Sequence, residues 1–281
     1  MKTIVKFSIL PALLIVLAST ALADGVVIYN TVPGPLPPNN SSLGYEANGI
    51  GEYGNLIQFA GGQPYSLTGA TVAMSNWVLS SNYTADFGTT IGGVSIADTG
   101  FTIPLTLNIY NVGPGNTVGS LIASTTTDAF IPWRAAPDPT DCPADPNNIN
   151  QQWLAPNGTC YNGQLMTVTL DVTGIDVPSQ IIYGLAFNTP HYGVSPTGGG
   201  PSASLNFGVT QADPTVGSNP LFGTGYVDAS STPFSYSGQI EFAGNPIPPS
   251  APEPSSLLLL GTGLAGLATG LLRKARSKGL A

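Results

Sequence analysis

In this 281-residue chain the side chains best suited to chemistry are two cysteines, one histidine, a few clustered aspartates and three tryptophans. Cys142 and Cys160 flank a segment rich in Pro, Asp and Asn. In an oxidising compartment such a pair closes as a disulfide. Metal binding is the alternative, but neither cysteine has Cys or His neighbours at ligand spacing. His191 stands in Thr189-Pro-His-Tyr-Gly193. A hydrolase would need a nucleophile and an orienting acid around it. The chain has no G-x-S-x-G: Gly93-Val-Ser-Ile-Ala97 lacks the second glycine. His191 therefore reads as a structural or solvated residue, and no catalytic residue is assigned. Asp138, Asp141 and Asp145 match neither an EF-hand nor a glycosidase pair across a cleft. Their Asp-Pro and Pro-Asp steps favour turns, with a loose Ca²⁺ site as the alternative and no metal ligand assigned. Trp133, Trp153, Tyr161 and Tyr192, with Trp77, offer apolar ring faces against which a sugar could pack. The alternative for each is the core, where aromatic rings are common.

Charge narrows the partners. Lys2 and Lys6 lie at the start and Arg273, Lys274, Arg276 and Lys278 at the end, leaving Arg134 as the only base between. Fourteen acids share that middle, for a formal charge of −13. Such a surface cannot neutralise phosphates, which excludes nucleic acid as a partner. Neutral glycans and cations stay compatible with it.

The elements that must position these residues are strands. Ile103, Leu105, Leu107 and Ile109 alternate with Pro104, Thr106, Asn108 and Tyr110. Met166, Val168, Leu170 and Val172 repeat the pattern against Thr167, Thr169 and Asp171, as do Ile181, Tyr183, Leu185 and Phe187 against Ile182, Gly184, Ala186 and Asn188. Period two places each set on one face of a strand, turned to a core. Pro104 suggests an edge or a strand start. Weaker patterns cover 26–29, 56–59, 70–79, 121–126, 203–209 and 239–242, and Gly113-Pro-Gly-Asn116 reads as a hairpin loop. About nine or ten short strands without βαβ alternation predict an all-β fold, an antiparallel β-sandwich that is jelly-roll-like.

Both ends of the chain are apolar. Lys2 and Lys6 precede the apolar Ile9–Leu17, and Ala21-Leu-Ala23 fits the small-x-small cleavage pattern, so 1–23 reads as a signal peptide cleaved before Asp24. That assigns signal peptidase and the Sec translocon as partners. Near the other end, Pro252-Glu253-Pro254 precedes eighteen uncharged residues, Ser255 to Leu272, and then the basic cluster Arg273 to Lys278. The run is long enough for a single transmembrane helix, and the bases would hold its end in the cytoplasm. Gly266 and Gly270 form a GxxxG pair that can support close helix contact.

This order of Pro-Glu-Pro, Gly-broken apolar run and basic tail resembles the PEP-CTERM sorting signal of bacterial exported proteins. The resemblance implies handling by an exosortase, a membrane-embedded cysteine transpeptidase-like enzyme, in a bacterium that makes extracellular polysaccharide. The stretches Leu105–Asn111, Gly119–Ser124, Ile131–Arg134 and Ile182–Asn188 are similar to exported proteins that share this signal, a group to which no activity is assigned here. The resulting organisation is a signal peptide at 1–23, a β domain at 24–245, a Pro-rich linker at 246–254, a helix at 255–272 and a tail at 273–281. The expected function is that of a non-enzymatic exported envelope or matrix protein, first held in the inner membrane and then placed at the cell surface or in the matrix, with no cofactor. A carbohydrate-binding module and a hydrolase with an unrecognised site are the alternatives.

Overall fold

The computed structural model describes residues 25–142, 152–187 and 201–248. The expected signal peptide, His191, Tyr192, Asp145 and everything from the Pro-Glu-Pro motif onward lie outside them. Among the described residues strand dominates, and the one α-helix is the four-residue Tyr45–Asn48.

Every named strand pair is antiparallel. The first sheet is built on Tyr65–Asn76, whose twelve residues are flanked along both edges. Gln164–Leu170 pairs with its far half and Asp176–Val177 with its start. On the other edge, Ile240–Pro246 pairs from Tyr65 to Val72 and Leu205–Thr210 pairs from Met74 to Asn76. Val26–Asn30 then pairs with Ile240–Pro246, and Ser42–Gly44 with Leu205–Thr210.

The second sheet centres on Gln180–Phe187 and Gly100–Val112, joined from Ile182↔Tyr110 to Phe187↔Leu105. Glu52–Gly54 and Leu56–Gln58 line the outer edge of the first of these. Val118–Pro132 runs along Gly100–Val112 as a long hairpin. At 13 and 15 residues these two strands exceed the short strands expected from the sequence. Alternation stops being visible where polar Ser and Thr occupy the solvent face and half of the other. The loop between them falls at Pro114–Asn116, as expected. Gly115 sits there at φ 68°, a conformation that favours glycine.

Pro104 is not at a strand start but lies inside Gly100–Val112, at a place where one side has no described partner. Phe101 and Thr102 pair with Ile96 and Ser95, whereas Leu105 onward pairs with Gln180–Phe187. Among the described residues, 103 and 104 thus have no partner on that side, where a missing N–H breaks no described ladder.

The alternating sets meet as expected. Leu105, Leu107, Ile109, Tyr183 and Leu185 from the second sheet are fully buried in one cluster with Val72, Met74, Phe207, Ile240 and Phe242 from the first. Val168 and Leu170 join it, and Met166 packs against it half-buried. The two sheets therefore share one core. Edge-to-face contacts such as Phe59–Phe242 and Tyr53–Phe207 cross between them. A smaller cluster of Leu56, Ile182 and Tyr226 covers part of the outer face of the second sheet, so Ile182 is buried although its parity points outward.

Candidate functional site

Registers assign the sheets two distinct ends. At one end Tyr65 pairs with Val177 and with Pro246. At the other, Asn76 pairs with Gln164 and Leu205. The second end carries most of the residues singled out for chemistry.

There Cys142 and Cys160 form a disulfide, with Cα atoms 5.8 Å apart. The segment before Cys142 is tightly turned. The Cys142 amide donates to the Asp138 carbonyl, and Asp138 Oδ1 accepts the amides of Thr140 and Asp141 at 3.0 and 3.1 Å. Asp138 and Asp141 thus hold a turn, the ordinary use of aspartate beside proline. Among the described residues no group of three or more His, Cys, Asp or Glu is placed to hold a metal ion. Closing a loop of 18 residues in sequence separation stabilises the folded state by about 3 kcal/mol on the chain-entropy account. We expect the Cys142→Ser/Cys160→Ser variant, or the reduced protein, to melt roughly 6–12 °C lower. A calorimetric scan with and without reductant checks this, and an unchanged transition would show the loop to be held by its other contacts.

The aromatic residues are placed differently from an open binding face. Trp153 is 7% exposed and its Nε1 donates to the Gly163 carbonyl at 2.9 Å. Tyr161 pairs with it across the two-residue ladder Trp153–Leu154 with Cys160–Tyr161. Trp133 is half-buried: it stacks on Tyr83 with centroids 5.8 Å apart, touches Phe101 and Phe87, and donates from Nε1 to Ala97. Sugar stacking needs a ring open to water, and Trp77, at 39% exposure with its Nε1 donating to Ser75 Oγ, is the most exposed of the three tryptophans.

Arg134, the only base of the middle region, is buried. Its Nε donates to the Trp77 carbonyl at 3.0 Å and its Nη1 to Ala135 at 3.2 Å. Burial lowers its pKa to about 10. Its work is to tie the chain after Pro132 to the end of the Tyr65–Asn76 strand.

A second polar group was not legible in the sequence. On the outer face of the second sheet, Tyr110 Oη donates to both carboxylate oxygens of Glu52 at 3.1 and 3.2 Å. The Glu52 carboxyl lies over Gly184, where any Cβ would overlap it. Burial, reinforced by the charge of Asp228, raises the Glu52 pKa, although Tyr110 and Asn108 oppose the shift. Burial and Glu52 in turn push the Tyr110 phenol up to about 12. Such a carboxyl–phenol pair can exchange protons, but glycoside cleavage also needs a second free carboxylate. Asp228 Oδ1 already accepts the amides of Gly51 and Glu52, both at 2.9 Å. No sequence signal joins Glu52 to Asp228, which are 176 residues apart.

The first end of the sheets is where the strands hand over to the C-terminal stretch. After Pro246, the Ile247 amide donates to the Pro64 carbonyl at 3.0 Å. Pro248 follows, and the next residues run into Pro-Glu-Pro. Among the described residues no helix is long and apolar enough to cross a membrane.

Strand content, one shared core, a disulfide and a strand leading straight into the C-terminal stretch define the class: a disulfide-bonded all-β protein body. The family comparison adds the particular. Residues 250–274 match the PEP-CTERM protein-sorting motif, so the chain carries the substrate signal of the exosortase pathway. That motif implies export and processing at the membrane, followed by surface display or secretion. Comparisons with curated proteins and with solved structures return no match.

Proposed function

We propose that this chain is a non-enzymatic envelope or matrix protein, a β-sandwich body delivered by a two-ended sorting system. In this reading Sec exports it, signal peptidase cuts before Asp24, and 255–272 spans the membrane with Arg273, Lys274, Arg276 and Lys278 inside. Exosortase then cuts near Pro252, Glu253 and Pro254 and releases or transfers the body to the surface or an extracellular polysaccharide. The observation that carries the reading is the motif at 250–274, which begins two residues after the last described residue of the body.

Strand order supports the sandwich. In the first sheet Val26–Asn30, Ile240–Pro246, Tyr65–Asn76 and Gln164–Leu170 are successive neighbours, and in the second Glu52–Gly54, Gln180–Phe187, Gly100–Val112 and Val118–Pro132. Strands far apart in the chain thus lie side by side as the chain passes between the sheets, an interleaving like that of a jelly roll. A non-enzymatic role is supported by the carboxylates of Asp138 and Asp228 each being committed to backbone amides.

Proline lacks an amide and disfavours helix in the residue before it. Pro252 and Pro254 should therefore keep the motif extended where a peptidase can grip it. In a host with exosortase the mature chain is expected to end between residues 252 and 256, and Glu253→Ala should leave the full-length form in the membrane. Mass mapping of the C-terminal peptide tests this. An intact peptide spanning 250–273 in the native host would refute processing and leave a simple anchor.

A further inference from the structure

We infer that the body stands on the bilayer by one defined end of its sheets and presents the acid-rich, disulfide-pinned end away from the membrane; this rests on the anchor reading proposed above. Three observations carry it. The chain leaves the last strand at Pro246, beside Tyr65, and Ile247 is tied to Pro64. Six residues lie between Pro248 and Ser255, seven steps that span at most about 25 Å at full extension. The body therefore cannot drift far from the start of the apolar run, and the end nearest to it is fixed by register.

The start of the body lies at the same end. Val26 pairs with Gly244, two residues before Pro246. Gly25, the first described residue, is therefore beside Gly244 and close to the start of the linker. The first and last described strands, which lead to the two membrane-directed segments, are therefore direct neighbours.

Acidic side chains are placed to suit this orientation. The second sheet shares the ends of the first: two residues link Val177, which pairs with Tyr65, to Gln180, and Phe187 pairs with Leu105 at the opposite end. The linker end carries Asp176 beside Ser66 and Asp171 just past Leu170, with Asp24 next in sequence to Gly25. Around the opposite end stand Asp86 and Asp98 in the turns beside Trp133, Asp138 and Asp141 in the disulfide loop, and Asp228 against Glu52, whereas Glu46 after Gly44 is buried. Against an anionic lipid surface, like charge is repelled within a Debye length of about 8–10 Å. The acid-poor end meets that surface and the acid-rich end escapes it. The twelve residues of Tyr65–Asn76 separate the two ends by about 40 Å.

Depth-dependent quenching tests the orientation. The full chain, made in a host without exosortase, is placed in vesicles of phosphatidylcholine and phosphatidylglycerol that carry a headgroup-attached quencher. A fluorophore is attached at Pro114→Cys, in the hairpin loop at the linker end, or at Ala85→Cys, in the turn stacked near Trp133 at the other. Quenching at position 114 is expected to exceed that at 85 several-fold. A chain that floats with the vesicles but is quenched equally at both positions, or more strongly at 85, overturns the orientation and spares the anchor. A chain that does not float with the vesicles overturns the anchor and the orientation with it.

Discussion

A body ending at residue 248 should unfold cooperatively, whereas one ending at residue 239 should not fold at all. The strand Ile240–Pro246 is the last in the described sequence, yet it lies between Val26–Asn30 and Tyr65–Asn76. Its removal strips the edges of both neighbours and takes away Ile240 and Phe242, each fully buried. Losing two such side chains costs about 5–9 kcal/mol even before the ladder is counted. That is comparable to the whole stability of a typical domain, about 5–15 kcal/mol. Limited proteolysis and denaturant unfolding of bodies 24–248 and 24–239 provide the measurement. A protease-resistant 24–239 fragment would show that the remaining strands suffice. The expected result has a consequence for export: the first sheet cannot close until residue 246 has crossed the membrane. Cleavage near residue 252 falls beyond every described pairing, so it should leave the stability of the folded body unchanged.

Asn55→Ala is expected to destabilise the body by about 3–5 kcal/mol, a large effect for one side chain. Asn55 is 1% exposed and lies between Glu52–Gly54 and Leu56–Gln58 in the second sheet. Its Oδ1 accepts the Gly238 amide at 2.8 Å and the Tyr183 hydroxyl at 3.2 Å. Gly238 belongs to Ser237–Gly238, which pairs with Leu205–Thr210 of the first sheet, so this amide side chain joins the two sheets. Its Nδ2 faces the Thr224 carbonyl at 3.3 Å and the Tyr53 hydroxyl at 3.4 Å. Alanine leaves the Gly238 amide and the Tyr183 hydroxyl buried without this acceptor. Asn55→Asp separates donor from acceptor loss. It keeps an oxygen for Gly238 but sets a second one against the Thr224 carbonyl, and it buries a charge at neutral pH. Urea midpoints should fall for both variants, with the Asp form partly recovering in mild acid as the carboxyl gains a proton. Equal midpoints for Asn55→Ala and the parent would remove Asn55 from the account of how the sheets are joined.

Local signals and long-range pairing divide what could be read in advance. The Pro-Glu-Pro motif, the apolar run and the basic tail are contiguous, and each acts through composition and order, so no fold is needed to recognise them. The faces of Ile103–Ile109, Val168–Val172 and Ile181–Phe187 were equally legible, because successive strand side chains alternate by geometry alone. The Cys142–Cys160 bond was legible by elimination, the chain having only two cysteines.

Pairing is another matter, because it joins residues that share no local pattern. Nothing near Asn55 announces Gly238, 183 residues later, and nothing near Glu52 announces Asp228. Trp133 and Trp153 have the same composition signal whether a ring faces water or packs against Tyr83 or beneath the disulfide hairpin. Only the tertiary structure decided that these rings face inward while Trp77 stays open. It also set Pro104 in the gap between two described partners and gave each edge of Tyr65–Asn76 to two strands in turn. The physical reason is that alternation fixes which face a side chain takes, whereas the choice of neighbouring strand depends on how the whole core closes. The sequence of this chain thus carries its sorting signal in local code, whereas the choice of neighbouring strands follows only from the closed fold.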